Sequence, residues 1–205
     1  MSGIVGHRGV LLGGGVPVVY ATLDPANKGA GITLSGGDLI ATKSSGTGWQ
    51  MARATAGKTT GKYYFEATWN EFSDSFVGIG LGDQDASVNN FFGADGNGLI
   101  VINNGEVYAN GALVTTIQTS AEGQVSGFAF DADAKLVWMR TNGGNWNNNG
   151  SANPATGVGG IAFPGSMSGT YYAGLGVQNS PNDQMTANFG ATAFAGTPPS
   201  GYGTL

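Results

Sequence analysis

Along residues 61–71, GKYYFEATWNE, apolar and polar side chains change places at nearly every step. Tyr63, Phe65, Ala67 and Trp69 fall on one face, with Lys62, Tyr64, Glu66 and Thr68 on the other. A period of two with the heavier apolar set on one side is what a half-buried strand requires. Shorter stretches repeat the signal. VPVVYATL (16–23) predicts a first strand, and GGDLIAT (36–42) and GWQMARATAG (48–57) predict two more. In FVGIGLGD (76–83), Val77, Ile79 and Leu81 alternate with Phe76, Gly78 and Gly80, and a related pattern returns in YYAGLGVQN (171–179). Glycines along one strand face leave room for a bulky group to pack flat. These two segments are expected to be neighbours in one sheet, with tryptophans over the glycines. Strong amphipathic helical periodicity is absent throughout.

The strands are punctuated by hairpin turns. In GLIVINNGEVYANGALV (98–114), Asn104-Gly105 and Asn110-Gly111 lie between short apolar runs, and Asn-Gly supplies the positive φ angles of two-residue hairpin turns. In GFAFDADAKLVWMRTNGGNWN (127–147), Phe128 and Phe130 alternate on one strand and Asp131 to Ala134 turn the chain. Leu136, Trp138 and Arg140 alternate on the next strand, and Asn142-Gly143 turns again towards Trp146. Trp138 is expected in the core. About a dozen short strands at turn spacing predict an all-β fold, a two-sheet antiparallel sandwich. Residues 19–195 are assigned to the sandwich, 1–18 to a glycine-rich N-terminal arm and 196–205 to a C-terminal tail. No internal repeat of 20–50 residues is convincing.

Composition narrows the function. Glycine makes up 38 of 205 residues, against a usual share of about 7%. The chain lacks the period of three of collagen, and its 10% aromatic content separates it from disordered sequences. Charged residues are 10%, against about 25% in an ordinary domain. Eight basic and thirteen acidic residues leave a net charge of −5, so neither the basic footprint of a nucleic-acid binder nor a polybasic membrane patch is present. No run of about 18 apolar residues predicts a transmembrane helix, and the start, MSGIVGHRGVLLGGG, is a poor secretory signal because Gly6, His7, Arg8 and Gly9 interrupt it. With no cysteine, disulfides, thiolate metal sites and cysteine nucleophiles are excluded.

The quoted elements, in order, resemble the SPRY domain family. The carriers are GWQMARATAGKTTGKYYFEATW, VGIGLGD, VSGFAFDADAKLVWMRTNGGNWN, a polar loop with Asn153-Pro154, and YYAGLGVQN, together covering roughly residues 20–195. The resemblance implies a bent, concanavalin-A-like sandwich (the jelly-roll class) that acts as a binding module through loops at one end, without catalysis. Many animal members adjoin signalling domains, for which this chain has no room. Its low charge, Asn/Gly/Thr-rich surface and PATGVGG loop look more like the SPRY-type proteins of bacteriophages and prophages, similar to capsid decoration, fibre, tail or baseplate components. The expected location is therefore the virion, and the expected partners are other virion proteins and copies of the chain. A carbohydrate-binding adhesin reading a host-surface glycan through the 142–156 or 83–97 loops is the alternative. No nucleic acid, membrane, metal or cofactor is expected.

Candidate residues follow from this. Six of the first fifteen residues are glycine. A terminus of this kind is commonly unordered, but Ile4, Val5, His7, Arg8, Val10, Leu11 and Leu12 are taken as a docking segment, against its own sandwich or, in the favoured reading, against a neighbouring subunit. On the sandwich, the loop 142–156, overlapping the long polar stretch WNNNGSANPATGVGG (146–160), offers Trp146, Asn147, Asn148, Asn149 and Asn153, an aromatic beside amides, for contact; the alternative is that Trp146 tucks into the core and the asparagines turn the chain. Asn149-Gly150-Ser151 is a glycosylation sequon, relevant only in a glycosylating host. A catalytic triad would need a histidine, and the chain's one histidine is His7. A glycosidase needs two carboxyls facing each other across a cleft, whereas Glu66 is expected on an outward strand face beside Lys62 as a solvated cross-strand partner. Asp83, Asp85, Asp95 and Asn97, and more weakly Asp131 and Asp133, are oxygen donors a calcium ion could use, but their spacing is not that of an EF-hand and Asp or Asn before Gly is ordinary turn chemistry.

Overall fold

The computed structural model describes residues 19–72, 76–179 and 181–205. The docking segment Ile4 to Leu12 lies outside them. Fourteen strands form two antiparallel seven-stranded sheets. They are β1 (Leu23–Lys28), β2 (Ile32–Ser35), β3 (Ile40–Lys43), β4 (Gln50–Lys58), β5 (Lys62–Glu71), β6 (Val77–Gly82) and β7 (Gly98–Ile102), followed by β8 (Glu106–Ala109), β9 (Ala112–Thr116), β10 (Val125–Asp131), β11 (Leu136–Thr141), β12 (Ile161–Ala162), β13 (Tyr171–Val177) and β14 (Gln184–Asn188). One sheet runs β1-β4-β13-β6-β7-β8-β9, the other β12-β11-β10-β5-β14-β3-β2. The fold is the expected sandwich. Among the described residues the only helical elements are two single 3-10 turns, Trp146–Asn148 and Pro154–Thr156.

The interior is built from one face of each sheet. Phe65, Ala67 and Trp69 of β5 are fully buried there, with Tyr63 packed at the margin, as the period of two requires. The Trp69 indole N–H donates to Ser126 Oγ at 2.7 Å, so the one polar group this tryptophan carries inward has a partner. From the opposite sheet come Val77, Ile79 and Leu81 of β6, Leu99 and Val101 of β7, and Leu175 and Val177 of β13. Asn110-Gly111, with φ of 53° and 69°, closes the β8–β9 hairpin in the left-handed conformation that two-residue turns demand.

The glycine-bearing strands are neighbours, with Gly80 opposite Gly174 and Gly78 opposite Gly176. One tryptophan lies over them as expected, Trp49 above Gly176, where a Cβ would sit 3.2 Å from its ring; the other cover is not tryptophan. Segment 83–97 folds back across the outer face of this sheet and lays Phe92 on the glycines; a Cβ on Gly174 would sit 2.7 Å from the Phe92 ring. Phe92, Met51, Ala86, Ile100 and Ile102 form a second buried cluster outside the sheet, and only Trp49 joins it from among the tryptophans. Arg53 anchors the segment, donating to the carbonyls of Gln84 at 3.2 Å and Ala86 at 2.5 Å.

Three further expectations are corrected. The first strand starts at Leu23, so Val19 and Tyr20 precede it. Trp138 is fully buried but lies outside the main core: β10 and β11 pair with Phe130 opposite Val137 and Phe128 opposite Met139, which turns Val137 and Met139 inward and Trp138 outward. Trp138 joins Tyr64, Ala129 and Trp146 in a third cluster on the outer face of its sheet. Glu66 is on the outward face as expected, yet it is buried, because the C-terminal segment covers it. That segment is bound to β5: Tyr64 N–H donates to Gly203 at 2.8 Å and Gly203 N–H donates to Lys62 at 2.9 Å.

Overpacking the glycine contact should be measurable. Gly174→Val is expected to lose about 1–3 kcal/mol in chemical denaturation, and Phe92→Ala about 3–5 kcal/mol. The double variant should lose less than the sum, because removing the ring removes the clash. Additive losses would show that Phe92 does not rest on this strand.

Candidate functional site

Each outer face of the sandwich carries a depression. On the β5 side, a cleft of about 310 Å³ is lined by Tyr64, Glu66, Arg140, Gly127 and Gly196, among others. Its charges are already committed. Glu66 accepts from Tyr64 Oη at 2.7 Å, Ala195 N–H at 2.8 Å and Gly196 N–H at 2.7 Å. Burial, and after it the hydrogen bond to Glu66, pushes the Tyr64 phenol well above its ordinary range, so Tyr64 remains a donor. Arg140 donates to the Thr197 carbonyl at 2.7 Å and stands 4.4 Å over the Trp146 ring. The close approach of Tyr64 depends on Gly127, where any Cβ would enter the Tyr64 ring.

The loop residues expected to make contacts flank this cleft. Trp146 is 9% exposed and packs edge-on to Tyr64 at 6.4 Å; it is a packing element. The Asn147 side chain accepts from Met139 N–H at 2.8 Å and donates to the carbonyls of Val137 and Gly159. It clamps the loop to β11, and its own φ of 50° is accommodated by that clamp. Asn149 and Asn153 are exposed and cap local turns, accepting from Ser151 and Ala155 N–H. Asn148 is exposed. The structure thus brings Trp146 and Asn147 inward and leaves Asn148, Asn149 and Asn153 outside.

The carboxylates weighed for calcium do not converge. Among the described residues no three His, Cys, Asp or Glu are grouped to hold a metal ion. Asp83 is buried and accepts from Asp85 and Ser168 N–H, Asp95 accepts from Asn97 N–H, and Asp131 accepts from Asp133 and Ala134 N–H while pairing with Lys62 at 3.2 Å. These are turn and clamp roles.

The second depression was missed by the sequence reading. It is a groove of about 270 Å³ on the outer face of the glycine-bearing sheet, lined by Trp49, Phe76, Phe91, Ile102, Glu106, Tyr108 and Gln178. Phe91 comes from the 83–97 segment, beside the Phe92 that fills the glycine stripe. Trp49 and Phe91 are 5.8 Å apart with planes at 56°, and Phe91 and Tyr108 are 6.0 Å apart at 74°. Phe76 is 40% exposed. Tyr108 Oη donates to Glu106 Oε2 at 3.1 Å, and this bond, with some burial, raises the phenol's pKa above its ordinary value. The spacing Glu106-x-Tyr108 on one strand face, and an unpaired aromatic in NNFFG, were the available signals. Aromatics around a few convergent polar groups are the usual composition of a ligand groove.

Comparison with solved structures places the fold. No family model and no curated protein sequence matches the chain. The SPRY domain of human HERC1 superimposes with a TM-score of 0.66 at 16% identity, covering 83% of this chain and 99% of that one. The PSpry domain of TRIM65 gives 0.58 at 12%, covering 82% and 89%. Stonustoxin gives 0.55 at 18%, where the match spans 82% of this chain and 27% of the toxin chain. The protein has the SPRY fold.

Glu66 provides the test of the covered face. Glu66→Gln keeps the shape but turns an N–H₂ group towards backbone donors. It is expected to cost about 1–3 kcal/mol and to speed amide exchange at Ala195 and Gly196. Unchanged exchange at both amides would mean the carboxylate does not hold the C-terminal segment.

Proposed function

We propose that this chain is a non-enzymatic structural and binding module of a bacteriophage virion, in which residues 1–18 of one copy engage the sandwich of the next and leave the remaining surface displayed outward. The observation that carries this reading is β9. It ends its sheet, and all five of its residues are exposed, with Leu113 at 51% and Val114 at 52%. An open edge strand with apolar side chains and no charge is a template for a further strand. The described chain begins with Val19 and Tyr20, which lead into β1 at the opposite edge. Six strand spacings of about 4.8 Å separate the two edges, roughly 29 Å, and eighteen extended residues reach about 60 Å. The direct path over the chain's own sheet is occupied by segment 83–97. A donor at one edge and an acceptor at the other give a head-to-tail contact, which builds rings or fibres.

The virion setting is supported by the sparse charge and the Asn/Gly/Thr-rich character of the sequence. The absence of catalysis is supported by Glu66, whose oxygens are held by three donors. The adhesin alternative had its main support in Trp146, which is buried; what remains for it is the 83–97 segment, and a glycan array on the purified protein addresses it.

Self-association tests the proposal. In sedimentation, the full chain should form oligomers with rising concentration. Removing residues 1–18, or introducing Leu113→Lys, should leave a monomer, with stability changed by no more than about 0.5 kcal/mol for the exposed substitution. A chain lacking residues 1–18 should also fail to enter phage particles. Equal association, or equal incorporation, with and without the arm would overturn the docking role.

A further inference from the structure

The groove beside Phe92 has a chemistry that the assembly proposal does not use. Three rings, Trp49, Phe91 and Tyr108, line it at steep mutual angles, with Phe76 and Ile102 completing the apolar wall. Its ionisable groups are the Glu106 carboxylate and the Tyr108 phenol, and Gln178 supplies an amide. No lysine, arginine or histidine lines it among the described residues. A buried cation lies close to Trp49 in Lys43, whose ammonium donates to the carbonyl of Gly48, the preceding residue, at 2.9 Å. That charge is met locally by Asp183 and by the carbonyl.

Such a lining discriminates between ligand classes. An anion finds no positive partner. A neutral sugar presents many hydroxyls, and here it would meet one amide and one carboxylate already engaged by Tyr108. An organic cation needs few hydrogen bonds. It is attracted by the negative faces of the rings, most strongly by Trp and more often as Arg than Lys, and by the carboxylate. The protein's net charge of −5 favours the same sign of ligand. The volume suits one long side chain and not a folded surface.

We propose that this groove is a receptor for a single basic side chain, an arginine or lysine, on a protein partner, with Trp49, Phe91 and Tyr108 forming the walls and Glu106 the counter-charge. Glu106 is held in place by the Tyr108 hydroxyl, and Asn104 Oδ1 fixes its backbone N–H at 3.0 Å. The groove is continuous with the Phe92 cluster, so its walls rest on a buried base. The site is independent of arm docking, and either can fail without the other.

The test is a titration of the full chain, followed by the Trp49 indole N–H signal in nitrogen-proton correlation spectra. The probes are blocked Gly-Arg-Gly, Gly-Lys-Gly and Gly-citrulline-Gly peptides, with choline and glucose as further arms. The arginine peptide should shift the indole saturably and bind at least tenfold more tightly than its citrulline counterpart, which keeps the shape and lacks the charge. Glu106→Gln, which preserves an acceptor for Tyr108, should weaken arginine binding about fivefold. Phe91→Leu should weaken it about tenfold, with the remaining spectrum unchanged. Equal binding of arginine and citrulline peptides would overturn the proposal, as would no indole shift with either basic peptide, or tighter binding of glucose or choline than of both.

Discussion

The structure depends on the close approach of loops to the outer faces of its sheets. A sandwich ordinarily solvates those faces with charged side chains, but here only 10% of residues are charged. The chain instead covers them with itself. On one side Phe92 lies on the glycines of β6 and β13; on the other, the 146–160 loop and the C-terminal segment bury Tyr64, Trp138 and Trp146. Both covers need missing side chains beneath them. Gly174 under Phe92 and Gly127 beside Tyr64 leave a few ångströms into which a ring fits, and interiors this dense do not tolerate a methyl group there without movement.

The functional candidates sit where that cover stops. At the margin of the Phe92 cluster the first phenylalanine of NNFFG, Phe91, turns to the groove rather than to the sheet, and Trp49 and Tyr108 meet it there. At the far edge of the same sheet no described segment overlies β9, and its five residues are exposed. One boundary leaves rings with a carboxylate, and the other leaves open backbone with Leu113 and Val114. These are different kinds of surface, suited to a side chain and to an extended strand respectively. A single covering segment therefore produces the groove and leaves the edge free.

Much of the fold was legible because a strand's period of two and the turn chemistry of Asn-Gly are local. The β5 alternation assigned Phe65, Ala67 and Trp69 to the core correctly, and the matching glycine patterns placed β6 beside β13. The same periodicity cannot tell which face receives a cover. It put Glu66 outward, and the burial of that face came from residues about 130 positions away in sequence. Trp138 shows a second limit. Its alternating hairpin suggested the core, but the register is set by the loop between β10 and β11, and pairing Asp131 with Leu136 turns Val137 inward. A shift of one residue exchanges the faces of a whole strand, and aromatic bulk does not fix the register. The groove was illegible for a related reason, since Trp49, Phe91 and Tyr108 come from a strand approach, a folded-back segment and an edge hairpin.

The sparse charges explain the remaining chemistry. Arg53 holds the carbonyls of segment 83–97, Glu66 holds the amides of Ala195 and Gly196, and Arg140 holds the Thr197 carbonyl while covering Trp146. Lys43 is buried against the Gly48 carbonyl. Charged groups that clamp backbone in this way resist removal more strongly than exposed ion pairs, whose contribution is typically no more than about 1 kcal/mol. Their withdrawal from solvent also changes the surface. Glu106, half-buried beside Tyr108 and facing rings that attract positive charge, then has few competing charges near it, so a weakly charged exterior gives one carboxylate in an aromatic groove a larger share in deciding what binds.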